Sequence, residues 1–210
     1  MSFRLVVLAS GSGTNLQAIL DQLHGHKAGE QGPLVEVAGV ASDKPNAGAL
    51  VRARDAAVDT AVFAGGEYAD RGARDAAIGD WADERGADLV VLAGYMQLLS
   101  ADFVARFPGR IVNIHPALLP SFQGLDAIGQ ALEHGVRITG VTVHFVDEGV
   151  DSGPIIVQRP VPVPPDRDRG ALEDAIHRTE HAVYPETIRM IAQGRVRIDP
   201  RSPRVVIIDD

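Results

Sequence analysis

The first half of this chain alternates between short apolar runs and segments with helical spacing. The apolar runs lie at residues 3–9, 35–41, 58–64, 88–93 and 110–114. Strands that alternate with helices are joined by right-handed crossovers and pair mostly in parallel, with helices on both faces of the sheet. We therefore expect an α/β fold with a single doubly wound, mostly parallel, Rossmann-like sheet. Ligands of such sheets bind at the carboxyl ends of the strands.

The second half predicts an antiparallel edge followed by a long helix. Residues 138–146 alternate in character, as a strand does. Residues 154–163 contain Pro160 and Pro162, which suit a strand at the edge of a sheet because proline cannot donate to a ladder. Apolar residues then recur at helical spacing over residues 166–192, which predicts a long C-terminal helix.

The end of the chain and its division into domains follow from the same pattern. Pro185 is expected to kink the long helix, and the tail predicts either a short strand at residues 205–208 or loose chain. The length of 210 residues favours one domain. Its expected parts lie at about residues 1–100 and 101–195, followed by a short tail at 196–210.

Charge and composition exclude several classes of protein. The net charge is −8 and the sequence pI is about 5.3, which argues against broad nucleic-acid binding and against an anionic membrane surface. The chain has no cysteine, so disulfides, thiolate metal sites and cysteine nucleophiles are excluded. The apolar run near the start is too short for a signal peptide or a membrane span. A cytoplasmic enzyme is the default expectation, as monomer or homodimer.

A glycine-rich turn follows the first apolar run. Residues 10–15 read S-G-S-G-T-N and precede a segment of helical spacing. A strand, a glycine turn and a helix together aim backbone N–H groups at an anion, and the hydroxyls of Ser12 and Thr14 add donors. The turn lacks the Gly-Lys-Ser/Thr of phosphate loops and the third glycine of the dinucleotide fingerprint. It favours a monophosphate, and an ordinary tight turn is the alternative.

The motif with the clearest chemistry lies at the end of the run at residues 110–114. Asn113 and His115 are two residues apart, so an extended backbone directs both side chains to one face. A neutral amide donor beside an imidazole suits a carbonyl that becomes an oxyanion while a proton moves. Asp151, in a glycine-rich loop, could reach His115 and fix its tautomer. The alternative is that this pair only completes a strand and a turn.

Other candidates are less specific. Further groups that could handle protons are His144, His177, Glu180 and His181. No pair of histidines has a short ligand spacing backed by a third ligand, so we expect no metal. The loop at residues 94–99 is too apolar for a free surface connection and predicts a wall of a core or pocket. Arg71 and Arg74 lie near the start of a helix, where cations oppose the helix dipole. This position favours a ligand-binding role for one of them, and solvated side chains are the alternative.

Five segments together resemble the phosphoribosylglycinamide formyltransferase family. They read V-V-L-A-S-G-S-G-T-N-L-Q-A-I-L, A-G-Y-M-Q-L-L-S, V-N-I-H-P-A-L-L-P-S-F, T-V-H-F-V-D-E-G-V-D-S-G-P-I-I-V-Q and E-H-A-V-Y-P. The resemblance runs from about residue 6 to residue 194, and it implies a phosphate-binding half at about residues 1–100 and a folate-binding and catalytic half at about 101–195. It implies the formyltransferase fold and a transfer of formyl from 10-formyltetrahydrofolate to the amine of glycinamide ribonucleotide, a step of purine biosynthesis.

The resemblance also implies roles for particular residues. Asn113, His115 and Asp151 form the implied catalytic trio. The residues implied to bind the ribonucleotide are Gly11, Ser12, Gly13, Thr14, Asn15 and Glu180. The residues implied to bind the folate co-substrate are Arg71, Met96, Gln97, Leu98, Leu99, Asn113 and Asp147. Neither a metal, a nucleic acid nor a membrane is implied as a partner.

Three positions depart from the family pattern, and three other functions remain open. Gln97 stands where many members carry arginine, Gln123 where proline is usual, and Asp126 where histidine is usual. Formyltetrahydrofolate deformylase, a hydrolase, is the main alternative, although Pro116 follows His115 where a second histidine would be expected. Methionyl-tRNA formyltransferase would need a basic tRNA-binding domain. A non-catalytic folate- or anion-binding module is the third, opposed by the intact catalytic trio.

Overall fold

The computed structural model describes residues 2–209. The chain divides into two compact units, Met1–Val112 and Asn113–Asp210. This division lies about a dozen residues beyond the boundary near residue 100 expected from the sequence. The prediction that residues 1–210 form a single domain with a phosphate-binding and a catalytic half remains a prediction.

The first unit is built of strands alternating with helices. Its elements are β1 (Ser2–Leu8), α1 (Thr14–Gln22), β2 (His26–Lys27), β3 (Leu34–Ser42), α2 (Gly48–Asp55), β4 (Thr60–Val62), α3 (Arg71–Glu84), β5 (Leu89–Leu92), α4 (Ala101–Arg106) and the start of β6 (Ile111–His115). Strand β1 pairs in parallel with β3 on one side and with β5 on the other. Strand β4 adds to β3 in parallel, whereas the short β2, which the sequence did not predict, is antiparallel to β3.

The core of the first unit explains why its strands are apolar on both faces. In β1, residues 5–8 are fully buried, and they pair with the equally apolar residues 89–92 of β5. Side chains of successive residues leave opposite faces of a strand, so burial of every one requires cover on both sides. Polar caps set the helix starts: Asp70 accepts a hydrogen bond from the Ala73 N–H at α3, and Ser100 accepts one from Phe103 at α4.

The second unit holds the antiparallel part of the fold. Its elements are the end of β6, α5 (Ala127–Glu133), β7 (Ile138–Phe145), β8 (Ile155–Pro162), α6 (Arg169–Ala192), β9 (Val196–Asp199) and β10 (Ser202–Ile208). Strands β7 and β8 pair in antiparallel register, with Val141 opposite Arg159. β8 is an edge strand, which is the position expected from Pro160 and Pro162.

The C-terminal helix is continuous and the tail is more ordered than loose chain, while the kink expected at Pro185 stays a prediction. Helix α6 begins after an Asp168 cap and continues through the buried Pro185 to Ala192 without interruption. The tail is not loose: β9 and β10 form an antiparallel hairpin, of which the sequence predicted only part of β10. The α/β class, the mostly parallel sheet, the antiparallel edge and the long C-terminal helix are confirmed.

Candidate active site

Asn113, His115 and Asp151 meet in the second unit. Asn113 and His115 project from the same face of β6, and Asp151 lies in the loop after β7. The His115 Nδ1 atom is 3.3 Å from Asp151 Oδ2. The Asn113 side-chain N–H donates to Asp151 Oδ1 at 3.4 Å. The carboxylate therefore contacts both groups that the sequence singled out, one through each oxygen.

His144 is a fourth member of this cluster. It projects from β7, is 2% exposed, and its Nε2 atom lies 3.2 Å from the Asn113 amide nitrogen and 3.7 Å from Asp151 Oδ1. Its Nδ1 lies 2.8 Å from the Phe145 carbonyl oxygen, which can only accept. With its proton on Nδ1 alone the ring leaves Nε2 to accept from Asn113, whereas a ring that also carries a proton on Nε2 directs it at Asp151 Oδ1. The sequence offered His144 only as one of several candidates, because nothing local shows which histidine faces Asn113.

His115 is held at both ring nitrogens. Besides the contact of Nδ1 with Asp151, its Nε2 lies 2.8 Å from the carbonyl oxygen of Phe122. The side chain is almost completely buried. Each ring nitrogen faces an oxygen acceptor, so either nitrogen can donate when it carries a proton. These two neighbours orient the ring.

The loop that carries Asp151 is internally braced. Asp147 Oδ1 accepts hydrogen bonds from the Ser152 hydroxyl at 2.7 Å and from the Gly149 N–H at 3.1 Å. Asp151 itself adopts a left-handed backbone with φ 48°, which aspartate tolerates better than most residues. A side chain at Gly153 would place its Cβ 1.9 Å from the Phe145 carbonyl oxygen, so glycine is required there.

The electrostatics of Asp151 favour its charged form. Burial is the largest influence and opposes ionisation, because it strips water from the carboxylate. Hydrogen bonds from the His144 side chain and the Gly124 N–H, with the electrostatic influence of the His115 and His144 rings, outweigh that cost. The pKa of Asp151 is therefore held below its ordinary value. An ionised carboxylate beside two imidazoles is suited to orient them and to stabilise a positive ring.

In the first unit, the glycine turn is supported from behind by α2. The carbonyl oxygen of Gly11 accepts from the Ala49 N–H at 3.1 Å, and that of Ser12 accepts from Arg52 Nε at 2.8 Å. Gly13 has φ 77° and precedes α1, and no side chain among residues 2–209 caps that helix start. Because the carbonyl oxygens of Gly11 and Ser12 face α2, the turn leads into a helix N-terminus of the kind that attracts an anion.

The two glycines of this turn have different reasons to be glycine. A Cβ at Gly13 would lie 2.6 Å from Ala49 Cα, so α2 excludes a side chain there whether or not a ligand binds. At Gly11 a Cβ would meet no protein atom within 4 Å. The sequence attributed both glycines to the approach of a phosphate. The structure shows that only Gly11 can report on a ligand without straining the protein.

Arg74, rather than Arg71, supports the apolar loop after β5. Its guanidinium is buried, donates to Asp75 Oδ1 at 2.8 Å, and also reaches the Gln97 side-chain oxygen at 3.1 Å and the Leu98 carbonyl at 3.3 Å. The second Asp75 oxygen accepts from the Ser100 N–H at 2.6 Å. The alternative of a solvated side chain is therefore wrong for Arg74, whereas Arg71 is exposed at the start of α3.

The loop itself combines a fixed backbone with exposed apolar tips. The Met96 N–H donates to the hydroxyl of Ser10, which ties the loop to the strand end before the glycine turn. Burial raises the pKa of Tyr95 to about 12, so its hydroxyl stays protonated. Met96 and Leu98 are each 58% exposed. The Gln97 side chain, which the sequence assigned to the co-substrate, is occupied by Arg74 and, at 2.9 Å, by Asp43.

The remaining predicted residues occupy separate places. Ser12 and Thr14 lie at the glycine turn, and Leu99 ends the apolar loop. Glu180 is buried in α6. Asp126 caps α5 through the Gly129 N–H and pairs with Arg169 at 2.8 Å.

Two searches of residues 2–209 gave negative findings. No group of three or more histidine, aspartate or glutamate side chains is placed to hold a metal ion there. No helix in that part of the chain is long and apolar enough to cross a membrane.

Comparison with known proteins agrees with this geometry. The Formyl transferase family matches residues 3–188. A phosphoribosylglycinamide formyltransferase of Haemophilus influenzae is 41% identical over 93% of this chain and 90% of its own length. The crystal structure of glycinamide ribonucleotide transformylase 1 from Symbiobacterium toebii has a TM-score of 0.92 and 48% identity, covering 100% of this chain and 95% of that one.

Some relatives are much longer. The chain is 44% identical to the trifunctional purine biosynthetic protein adenosine-3 of Drosophila melanogaster, but it spans only 14% of that protein's length. The match to the Haemophilus protein extends over nearly all of both chains, and the structural match does the same. The family match over residues 3–188 and the identity to a relative that is covered over 90% of its length establish the family. This chain belongs to the Formyl transferase family, and within it to the phosphoribosylglycinamide formyltransferases.

Proposed function

We propose that this enzyme transfers the formyl group of 10-formyltetrahydrofolate to the amine of glycinamide ribonucleotide. The observation that carries the proposal is the contact of one carboxylate, Asp151, with both Asn113 and His115. The names of the full-length relatives supply the substrate and favour transfer over the hydrolase alternative. We further propose that it acts in the cytoplasm, as a monomer or homodimer, without a metal, a nucleic acid or a membrane as partner.

The catalytic cluster can perform each step of such a transfer. The substrate amine attacks the formyl carbon, the bond from that carbon to the folate nitrogen breaks, and a proton passes from the amine to that nitrogen. The Asn113 amide is suited to donate to the oxyanion that develops on the formyl oxygen. His115 is suited to polarise that oxygen or to carry the proton, while Asp151 orients the imidazole. No covalent formyl-enzyme is needed.

To bind the formyl oxygen, the side chains of Asn113 and His115 must break hydrogen-bond contacts that they make within the protein. The Asn113 amide nitrogen lies against His144 and Asp151, and the His115 Nε2 lies against the Phe122 carbonyl. Each donor reaches the formyl oxygen only by giving up one of these partners. The cost of the exchange is small, because a hydrogen bond is replaced by another and not left unmade.

The proposed binding segments lie in both units. In the first unit, the turn from Gly11 to Asn15 would hold the phosphate, and Arg71 with the 96–99 loop would hold the folate. In the second, Glu180 would contact the ribose, and Asp147 the folate. The exposed side chains of Met96 and Leu98 support the folate assignment, since they offer apolar surface to a flat ring.

Turnover that depends on the ribonucleotide is the direct test of the proposed function. The purified protein is incubated with 10-formyltetrahydrofolate, with and without glycinamide ribonucleotide, and release of tetrahydrofolate is followed. We expect release only when the ribonucleotide is present. Equal release in its absence would instead identify a hydrolase, and no release in either case would point to a binding module.

Substitution of Gly11 tests the proposed phosphate site. Gly11→Ala should raise the dissociation constant of the ribonucleotide roughly 10-fold, because the new methyl group crowds an anion at the turn and weakens charge-assisted hydrogen bonds. The folate dissociation constant should change little. Binding of each ligand is measured by calorimetry, and Arg54→Ala, on the exposed side of α2, is the control. An equal loss of affinity for both ligands would contradict a local phosphate site.

A further inference from the structure

One short segment contacts two of the three proposed catalytic residues, His115 and Asp151. The Phe122 carbonyl faces His115 Nε2 at 2.8 Å. The Gln123 side-chain N–H donates to the Asp151 carbonyl oxygen at 3.0 Å. The Gly124 N–H donates to Asp151 Oδ2 at 2.9 Å. Consecutive residues thus hold the imidazole, the backbone of the acid and its carboxylate.

The segment 122–124 is itself tied to the neighbouring helices. The Gln130 side chain, on α5, donates to the carbonyl oxygens of Gln123 and Leu125 at 3.2 and 2.9 Å. Asp126 caps α5 and pairs with Arg169 of α6. The Gln123 amide is therefore presented from a fixed frame, and its bond to Asp151 connects two loops that are 28 residues apart in the chain.

Asp151 has an uncommon backbone conformation and therefore depends on support from its neighbours. Its φ of 48° belongs to the left-handed region, which is held only where surrounding contacts determine it. The Gln123 bond reaches the backbone carbonyl of this same residue, whereas Gly124 reaches its side chain. Only a side chain with a hydrogen-bond donor can make this contact, and the amide of Gln123 supplies one.

From this geometry we infer that Gln123 is a positioning residue, which fixes the backbone of Asp151 so that its carboxylate meets His115 and Asn113. The inference rests on the proposed function for its effect on turnover, but its effect on Asp151 can be measured without any substrate. Gln123 touches neither the reacting atoms nor the catalytic imidazole through its side chain. Its action is entirely through Asp151.

The carboxylate reports on its own position. The groups facing it are Asn113 and His115 from β6, His144 from β7 and the Gly124 N–H from the loop. Burial of the Asp151 carboxylate opposes its charged form, whereas these contacts together stabilise it. If the backbone of Asp151 loses its support, both these contacts and the burial of the carboxylate diminish. Because the contacts outweigh burial in the folded protein, their joint weakening returns the pKa of Asp151 toward its ordinary value. The titration midpoint of Asp151 must then move to higher pH.

Variants at position 123 separate donation from bulk. Gln123→Met keeps an unbranched side chain but has no N–H, and Gln123→Glu keeps the shape but directs a carboxylate at the Asp151 carbonyl. Ser121→Ala, an exposed change in the same loop, is the matched control. For each variant we measure kcat, both KM values, the melting temperature, and the Asp151 titration by carboxyl carbon NMR in the ligand-free protein, assigned with Asp151→Asn.

The expected result is a loss in kcat and a displaced titration. Gln123→Met should lower kcat about 3- to 10-fold, which corresponds to one ordinary hydrogen bond, with each KM changed less than about 2-fold. Gln123→Glu should lose more, and Ser121→Ala should match the wild type. The Asp151 midpoint should move to higher pH in Gln123→Met.

The inference is overturned if the Asp151 midpoint in Gln123→Met is unmoved, or if it moves while kcat is unchanged. It is also overturned if the only change in Gln123→Met is a lower melting temperature. If the wild type transfers no formyl group, the proposed function fails, and the titration alone then decides whether Gln123 holds Asp151. The two failures are therefore distinguishable.

Discussion

Asp151→Asn should lower kcat by roughly 10²- to 10⁴-fold, the range typical of a positioned acid–base group. The change keeps the size of the side chain and removes its charge, so the His115 ring loses its anionic partner at 3.3 Å. The ribonucleotide dissociation constant should change far less, because the glycine turn lies in a different segment. Single-turnover rates and equilibrium binding measure the two effects separately.

A neighbouring acid provides the control for this prediction. Glu148 is exposed in the same loop, and Glu148→Gln removes a charge without touching the cluster. We expect its kcat within about 2-fold of the wild type, since an exposed charge is screened by solvent. A near-normal rate in Asp151→Asn would show that Asp151 only shapes its loop.

The same variant has a defined effect on stability as pH changes. The pKa of Asp151 is lowered in the folded protein, so the group contributes stability above its unfolded pKa. That contribution is lost as pH falls through the folded pKa. The difference in the free energy of unfolding between wild type and Asp151→Asn should therefore shrink on acidification. Denaturant titrations at a series of acid pH values measure it; a constant difference would contradict the assigned direction.

Arg74→Leu should lower the free energy of unfolding by roughly 3–5 kcal/mol, because it leaves a buried carboxylate without its partner. The side chains of Arg74 and Asp75 are only 5% and 0% exposed, and their closest atoms are 2.8 Å apart. The loss should appear as a melting temperature lower by about 10 °C. The KM for the folate should also rise, because Arg74 holds the Gln97 side chain and the Leu98 carbonyl.

Two variants on the same helix test the cause. Arg71→Leu removes an exposed guanidinium, and its stability should stay within about 0.5 kcal/mol of the wild type. Arg74→Leu combined with Asp75→Leu removes the stranded charge and should recover part of the loss. Recovery is incomplete, because Asp75 also accepts from the Ser100 N–H. Equal melting temperatures for Arg71→Leu and Arg74→Leu would show that the buried pair does not hold the loop.

The candidate site shows how far local pattern reaches. The spacing of Asn113 and His115 placed both on one face of a strand, since side chains alternate by a rule that depends only on the backbone. The spacing did not show that His144 completes the cluster, nor which of two arginines on α3 supports the 96–99 loop. Arg71 and Arg74 are the same residue type on one helix. Only packing against Asp75, Gln97 and the loop backbone separates them.

What the sequence determined by itself was periodic or covalent: strands and helices in order, the edge prolines, the glycine turn, and the resemblance that named the chemistry. Each depends on residues close together in the chain. What the tertiary structure decided depends on residues far apart: Ala49, which forces glycine at position 13, and the Gln123 amide that meets Asp151. Such contacts leave no local pattern, because their partners are brought together only when the chain has folded.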